Sequence, residues 1–448
     1  MSKRALIFFA LFVMPFRLTN AQDVGSNTAE SGHSPPMFEL LMQSALTSNP
    51  KIKRSLGVTN LAEIEINRAN SRFLPRLDFT GASSRINGYG QAPGLNNLLL
   101  GSRTAVTSAT SSLRLGLNVF NGGEDVRNRQ LATERKSEAD LSLARDQLEI
   151  VNKLLDKYAE AKDLAYKVEI AKSKAKFASE KKKLAETQLR QGRVSEFKQQ
   201  ETVLEAELKN SELQIAVDKL SSEMSSILAY AGVTEASRDK VPPMDLVHVE
   251  YESELLTQGL TIPAGVTPTE QIAQSKITQA DIEVRKAYSR FSPKAEIFME
   301  IAEGALSDKS IYYTLVHQSK QTSSVGVTLS WNLFDGLDST YHLSGKKQEV
   351  DNAMDALDIA RDEAHQVRIE TQFHLSQRVS ELRVADSKLS LLEKKLKLVA
   401  LEYQYGRAPE IDYLEAVTGL EEQRFENKII ENDISRLKAK MLLHGAAK

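Results

Sequence analysis

The 448-residue sequence has no cysteine, which rules out a disulfide framework, a cysteine nucleophile and a lipid-bearing cysteine at a processed N-terminus. Any attachment to a membrane must therefore come from the fold. Beyond the first residues there is also no run of roughly 18 to 20 apolar residues, so no transmembrane helix is expected. Charge of either sign is not in excess: 58 Lys and Arg against 60 Asp and Glu leave a net charge of −2, which argues against nucleic acid as a ligand. Aromatics make up only 6% and charged residues 26%, while Ala, Leu, Glu, Lys and Gln dominate the middle of each half. That balance suits long solvent-bathed helices better than two or three compact cores.

The N-terminus reads as a secretory signal over residues 1–21. Lys3 and Arg4 precede an apolar run from Ala5 to Met14, and Thr19-Asn20-Ala21 supplies small residues for cleavage before Gln22. The run is too short to span a bilayer. An exported chain of this kind is periplasmic, secreted or a β-barrel.

What the sequence does contain is itself, twice. "ANSRFLPRLDFTG" from Ala69 returns as "AYSRFSPKAEIFM" from Ala287, and Asn49-Pro50 returns as Thr267-Pro268. "LRLGLNVFNGG" ending at Gly123 returns as "VTLSWNLFDGL" ending at Leu337, and "LRQGRVSEF" around Gly192 returns as "YQYGRAPEI" around Gly406. Repetition on this scale means two copies of one supersecondary unit. The expected organisation is a first repeat at 22–231, a linker at 232–268 containing Val241-Pro242-Pro243, and a second repeat at 269–448. Each repeat holds a helix, a strand pair (about 74–120 and 293–334) and a helical hairpin (about 122–230 and 336–443).

The second strand of each pair alternates strictly. Leu113, Leu115, Leu117 and Val119 face one way and Arg114, Gly116 and Asn118 the other; Val325, Val327, Leu329, Trp331 and Leu333 alternate with Gly326, Thr328, Ser330 and Asn332. The first strands are weaker: Leu77 and Phe79 alternate with Arg76 and Asp78, while Ala295, Ile297, Met299 and Ile301 alternate with Lys294, Glu296 and Glu300, and Phe298 breaks the pattern. Such alternation fits a half-buried soluble sheet or a barrel strand in lipid. The rest of the chain offers no spare apolar layer to cover the sheet, so lipid is the expected cover. Four strands cannot close a barrel, since about eight is the minimum. Two chains would give a narrow ring of eight, and three a twelve-stranded barrel with a lumen. The polar stretches from Asn87 to Ser112 and from Gly304 to Thr322 read as extracellular loops.

From Gly123 to about Arg190, and from Gly336 to about Tyr405, there is no proline, and apolar residues recur at spacings of three and four. Leu141, Ala144, Leu148, Val151, Leu155 and Tyr158 form one seam; Leu382, Ala385, Leu389, Leu392, Leu396, Val399 and Tyr403 form the other. Each helix is on the order of 100 Å long. Each ends at a glycine suited to a left-handed cap, Gly192 or Gly406, and a second helix returns from Ser195 or Pro409.

This order, with "NP" near the start, "LP.L" opening the first strand, "W.LFDG" closing the last and "GR....DYLEA" after the second tip, resembles the TolC-like outer-membrane channel proteins over nearly all of the mature chain. The resemblance implies an α+β membrane protein: a homotrimer whose twelve-stranded β-barrel sits in outer-membrane lipid and continues as a twelve-helix periplasmic α-barrel. It implies partners too, a periplasmic adaptor and an inner-membrane transporter, ABC or proton-driven. The adaptor-docking tips map onto Gly192 and Arg193 and onto Gly406 and Arg407. A periplasmic gate maps onto Tyr403, Asp412 and Glu415. The pattern departs at Lys198, where an acid would match the second repeat, and at Ala408, where an arginine would stand. Independently of the resemblance, Asp412 and Glu415 share a helix face and could form carboxylate rings under threefold symmetry, or could simply favour the helix start through its dipole.

Enzymatic readings find little support. The seven histidines show no metal-ligand spacing, and there is no P-loop or dinucleotide fingerprint, so neither cofactor nor metal is expected. The rival reading is a periplasmic adaptor, which also carries a long hairpin. An adaptor, however, would nest one hairpin in a small β-domain, where this chain pairs two hairpins with two sets of alternating strands. A coiled-coil protein without a pore is a third possibility. The cargo, whether protein, drug or metal, is not written in the sequence.

Overall fold

The structure, a computed structural model, describes residues 37–89, 103–233, 266–307, 309–318 and 320–443. The expected signal sequence, most of the expected linker, and three of the seven histidines, His33, His248 and His444, lie outside the described residues.

The first half runs α1 (Met37–Ser48), α2 (Pro50–Ser71), β1 (Arg76–Tyr89), β2 (Arg103–Phe120), α3 (Glu124–Arg190) and α4 (Glu196–Tyr230). The second runs α5 (Pro268–Ala287), a 3-10 turn at Tyr288–Phe291, β3 (Lys294–Ser307), α6 (Ile311–Val316), β4 (Lys320–Ser330), α7 (Asp338–Gln404) and α8 (Glu410–Leu443).

The duplicated dipeptides are helix starts. Asn49 accepts a hydrogen bond from the Lys51 amide at 2.9 Å, and Pro50 takes the first helical position, where its missing N–H costs nothing. Thr267 does the same for Glu270 at 3.3 Å, with Pro268 behind it. The one helix expected at the start of the first repeat is accordingly two, Met37–Ser48 and Pro50–Ser71, broken at Asn49. The long helices α3 and α7 each have 67 residues, about 100 Å at 1.5 Å per residue.

The four strands form one antiparallel sheet in the order β1-β2-β3-β4. The two repeats meet at the β2–β3 pairing, where Leu115 lies opposite Met299. Parts of the two stretches expected to be loops are strand. β2 begins at Arg103, and its hydroxyls pair across to β1, Ser112 with Thr80 at 2.7 Å and Ser108 with Ser84 at 2.9 Å. β3 likewise runs on to Ser307, and α6 follows it. Runs of Ser and Thr carry no apolar alternation, so the strand was not visible there. At the other end β4 stops at Ser330, which pairs with the first residue of β3. Trp331 and Leu333, expected within the strand, lie beyond it. The Trp331 indole N–H donates to the Phe291 carbonyl at 3.0 Å, holding the chain as it leaves the sheet.

The long helices pack side by side. α3 touches α2, α4, α5 and α8, and α7 packs against α5 and α8. The main core lies where α1, α3 and the ends of α4 and α8 converge on Leu41, Val151, Leu154, Leu155, Tyr158 and Ile227, with Phe38 set edge-on to Tyr158 at 5.4 Å. No described helix is long and apolar enough to cross a membrane.

Candidate functional site

Residues directly opposite one another in an antiparallel sheet share a face, so the strand register sorts the four strands into two surfaces. One surface carries Leu77, Leu115, Met299 and Val325 in a single row, with Phe79, Leu113 and Ile301 on one side of it and Leu117, Ile297 and Val327 on the other. Leu329 pairs with Ala295 at its end. Beyond one another these side chains have no cover among the described residues: Leu77, Phe79, Leu113, Leu115, Ile297, Met299, Val325, Val327 and Leu329 are exposed. Val119 departs from simple alternation. The register shifts between Asn118 and Phe120, so Val119 is the extra residue of a β-bulge and Phe120 pairs with Ala295. Both side chains are exposed.

The opposite surface is charged. Arg114 reaches Glu296 at 3.3 Å and Glu300 at 3.8 Å, and Arg76 reaches Asp78 at 2.9 Å. Phe298 belongs here, which explains its break in the pattern. It pairs with Gly116 on one side and Gly326 on the other, and the Arg114 guanidinium carbon sits 4.4 Å from its ring centre. This surface curves into a concavity that continues past Arg72 and Asp125, an ion pair at 3.6 Å, toward the helices. Sequence reasoning missed this charged group because alternation marks a face as polar without showing which charges meet.

At the far end of the helices the two tips are the same turn. Arg193 N–H donates to the Gln188 carbonyl at 2.8 Å and Gly192 N–H to Leu189 at 2.9 Å; Arg407 N–H donates to Glu402 at 2.7 Å and Gly406 N–H to Tyr403 at 3.0 Å. Both are Schellman caps, with φ of +69° at Gly192 and +68° at Gly406. Nothing lies within 4 Å of a Cβ built on either glycine, so it is backbone conformation rather than space that selects glycine. Arg193 and Arg407 are exposed beside them. Tyr403 stacks on Tyr413 across the tip, with ring centres 5.4 Å apart and planes 9° from parallel. Asp412 and Glu415 are exposed in the first turns of α8, and neither forms an ion pair with another described residue. Lys198 is held by Glu201 at 2.6 Å.

Between tips and sheet the two hairpins are joined by buried polar groups. Asn432 on α8 donates to the Ala159 carbonyl at 2.9 Å and to Asp163 at 2.8 Å on α3. Burial pushes the Asp163 carboxyl up to about 6, against the help of that bond. Asp433 is clamped by Arg436 at 2.8 Å and Arg378 at 3.2 Å, and Asp156 takes Lys440 at 2.6 Å.

The outer edges of the layer are unfinished. On α7, Val384, Leu391 and Leu398 are exposed at spacings of seven, continued by Tyr405 at its cap, and on α4 Phe197, Leu204, Leu208 and Ile215 are exposed too. The expected α7 seam, including Ala385, Leu389 and Leu392, faces inward instead. A helix with two apolar stripes packs neighbours on both; α7 packs against α5 and α8 on one side, and among the described residues no helix covers the other. β1 and β4 are likewise edges without a partner among the described residues.

The sequence profile described as "Outer membrane efflux protein" matches residues 41–222, the helices and strands of the first repeat. Over residues 41–222 the chain resembles the outer membrane efflux protein family. Solved channels of this kind share the fold over almost the whole chain. The Campylobacter jejuni CmeC outer membrane channel superposes with a TM-score of 0.73 at 14% identity, covering 93% of this chain and 90% of that one. CusC, described in connection with folding and transmembrane channel formation, gives 0.69 at 14% identity, covering 93% and 95%. The outer membrane protein VceC of Vibrio cholerae gives 0.68 at 14% identity, covering 92% and 96%. No curated protein matches by sequence. The adaptor reading is set aside, since the single sheet joins the strand pairs of both repeats.

Proposed function

We propose that this chain is the outer-membrane exit duct of a tripartite export machine, a passive conduit that docks on a periplasmic adaptor and an inner-membrane transporter. The observation that carries this reading is the pair of unpaired sheet edges bordering an apolar surface. β1 and β4 run antiparallel, so β4 of one copy can add to β1 of the next without breaking the alternation. Head-to-tail addition of this kind closes into a ring, and three copies make twelve strands. The same rotation brings the apolar stripe of α7 against that of α4 in the next copy, completing a ring of helices. The signal sequence at 1–21 directs export. The repeats at 22–231 and 269–448, joined through 232–268, each contribute two strands and one hairpin.

In this assembly the Arg114, Glu296 and Glu300 surface lines the lumen, and Leu113, Leu115, Leu117, Val119, Val325, Val327 and Leu329 face lipid, with Trp331 and Leu333 at the interface. The turns at Gly192 with Arg193 and at Gly406 with Arg407 present the adaptor-docking surface. Tyr403, Asp412 and Glu415 form the periplasmic gate. The driving energy is supplied by the transporter, through either ATP or the proton gradient.

Extraction and mass test the proposal. The protein is expected to leave membranes only with detergent, to migrate as a trimer, and to conduct ions in planar bilayers. Release by carbonate as a monomer with no conductance would overturn it.

A further inference from the structure

The short helix α6 follows β3, yet it folds back across β2. The Thr107 hydroxyl donates to the Lys309 carbonyl at 2.8 Å, and the Ser111 hydroxyl donates to Gln318 Oε1 at 2.5 Å. Thr107, Ala109 and Thr314 are buried between helix and strand, at 0%, 0% and 1% exposure. Residues 107, 109 and 111 alternate in step with Leu113, Leu115 and Leu117, so α6 lies on the apolar, outward surface of the sheet. It covers neither the charged surface nor the mouth that this surface would line.

Its height on that surface is also fixed. The apolar rows run from Phe120 to Leu113 on β2 and end where Glu303 takes the place of an apolar residue, opposite Ser111. Eight residues of strand rise roughly 25 Å, or on the order of 20 Å along a barrel axis after the usual tilt, close to the height of the apolar band of outer-membrane barrels. α6 begins where that band stops. The face it turns away from the sheet is not polar: Tyr312, Leu315 and Val316 are 79%, 49% and 61% exposed. Lys309 stands at its start with its ammonium 4.0 Å from the centre of the Tyr313 ring, and Tyr313 stacks on His317. An aromatic and aliphatic face with a lysine beside it is the composition that settles at the boundary of acyl chains and headgroups.

We propose that α6 is an interfacial anchor, whose Tyr312, Leu315 and Val316 insert at the headgroup boundary of the outer leaflet while Lys309 meets headgroup phosphate. The inference rests on the outer-membrane reading of the sheet and adds a second, non-strand contact with lipid. It would fix the depth and rotation of the barrel from the outer side, opposite Trp331 on the inner side.

The sequence holds a single tryptophan, which makes the test direct. The full-length wild-type protein and a Tyr312→Trp variant in a Trp331→Phe background are reconstituted in vesicles of phosphatidylglycerol and phosphatidylethanolamine, with and without lipids brominated near the headgroup. Quenching of Trp331 in the wild type reports insertion of the barrel. If the anchor exists, brominated lipid quenches the position-312 indole comparably and iodide quenches it weakly. Adding Leu315→Asp and Val316→Asp should reverse that order without dissociating the trimer, because both side chains are exposed. Lipid quenching at 331 with iodide-only quenching at 312 would overturn the anchor and leave the barrel intact. An indole at 312 shielded from both quenchers would overturn it in favour of contact with a neighbouring copy. Absence of lipid quenching at 331 would overturn the barrel reading, and the anchor with it.

Discussion

Arg114 and Phe298 stack across the β2–β3 pairing, the guanidinium carbon 4.4 Å from the ring centre, while the same guanidinium reaches Glu296 and Glu300. The absence of a side chain at Gly326 gives the ring room, since a Cβ there would lie 3.0 Å from it, while a Cβ at Gly116 would meet the Glu296 carboxylate at 2.7 Å. Glycine flanked by a cross-strand aromatic is a recognised way to keep a sheet both curved and paired. Phe298→Ala should destabilise the assembled barrel by about 1–2 kcal/mol, given the size of cross-strand and cation–π terms. Heat dissociation of the trimer on a gel, compared with wild type, measures it. Phe298→Tyr should leave it unchanged.

Leu115 and Leu329 lie in the middle and at the edge of the apolar surface. Leu115→Arg places a cation facing lipid near the midplane, where the cost is about 2–4 kcal/mol, falling toward zero at the interface. Leu115→Arg should therefore impair trimer yield more than Leu329→Arg. Equal yields from both variants would contradict the assignment of faces.

The Asp163 carboxyl is held up near 6 by burial, so the fold prefers its protonated form. A carboxyl with a raised folded-state value binds more protons folded than unfolded between its ordinary value and about 6. Stability from this group is thus greatest below about pH 4 and is lost as pH rises through 6. Asp163→Asn, which keeps a hydrogen-bonding partner for Asn432, should stabilise the helical layer at pH 7.5 by on the order of 1–2 kcal/mol and have little effect at pH 4. Denaturant midpoints of both proteins at the two pH values give the comparison.

Gly406 holds φ at +68° in open space. Gly406→Val forces a β-branched side chain into the left-handed region at a cost of about 1–2 kcal/mol, confined to the tip. Trimer formation should be normal and export through the adaptor reduced, as read by crosslinking to the adaptor and by cargo release. Weakened trimers would mean that the turn acts in assembly instead.

Asp412 and Glu415 are exposed without ion pairs. Asp412→Asn with Glu415→Gln should reduce the preference of the pore for cations in planar bilayers, because a carboxylate ring at a constriction is what favours cations there. Unchanged reversal potentials in asymmetric salt would remove both residues from the gate.

The sequence alone determined the repeat, the turns at the helix tips and the alternation that divides the sheet into two surfaces. Each of these is set within a few residues: a Schellman turn needs Gly192 or Gly406, and a strand face needs only alternation along Leu113 to Leu117, whereas the caps at Asn49 and Thr267 emerged only in the structure. Tertiary structure decided what depends on the partner strand or helix. The bulge at Val119, the end of β4 before Trp331, the place of Phe298 among arginine and glycine, and the return of α6 over Ala109 are all set by register. Burial of Asp163 and the choice between the inward seam of α7 and its outward stripe depend on which helices arrive on each side. Local propensity reaches a few residues along the chain, whereas each of these contacts joins residues from different elements.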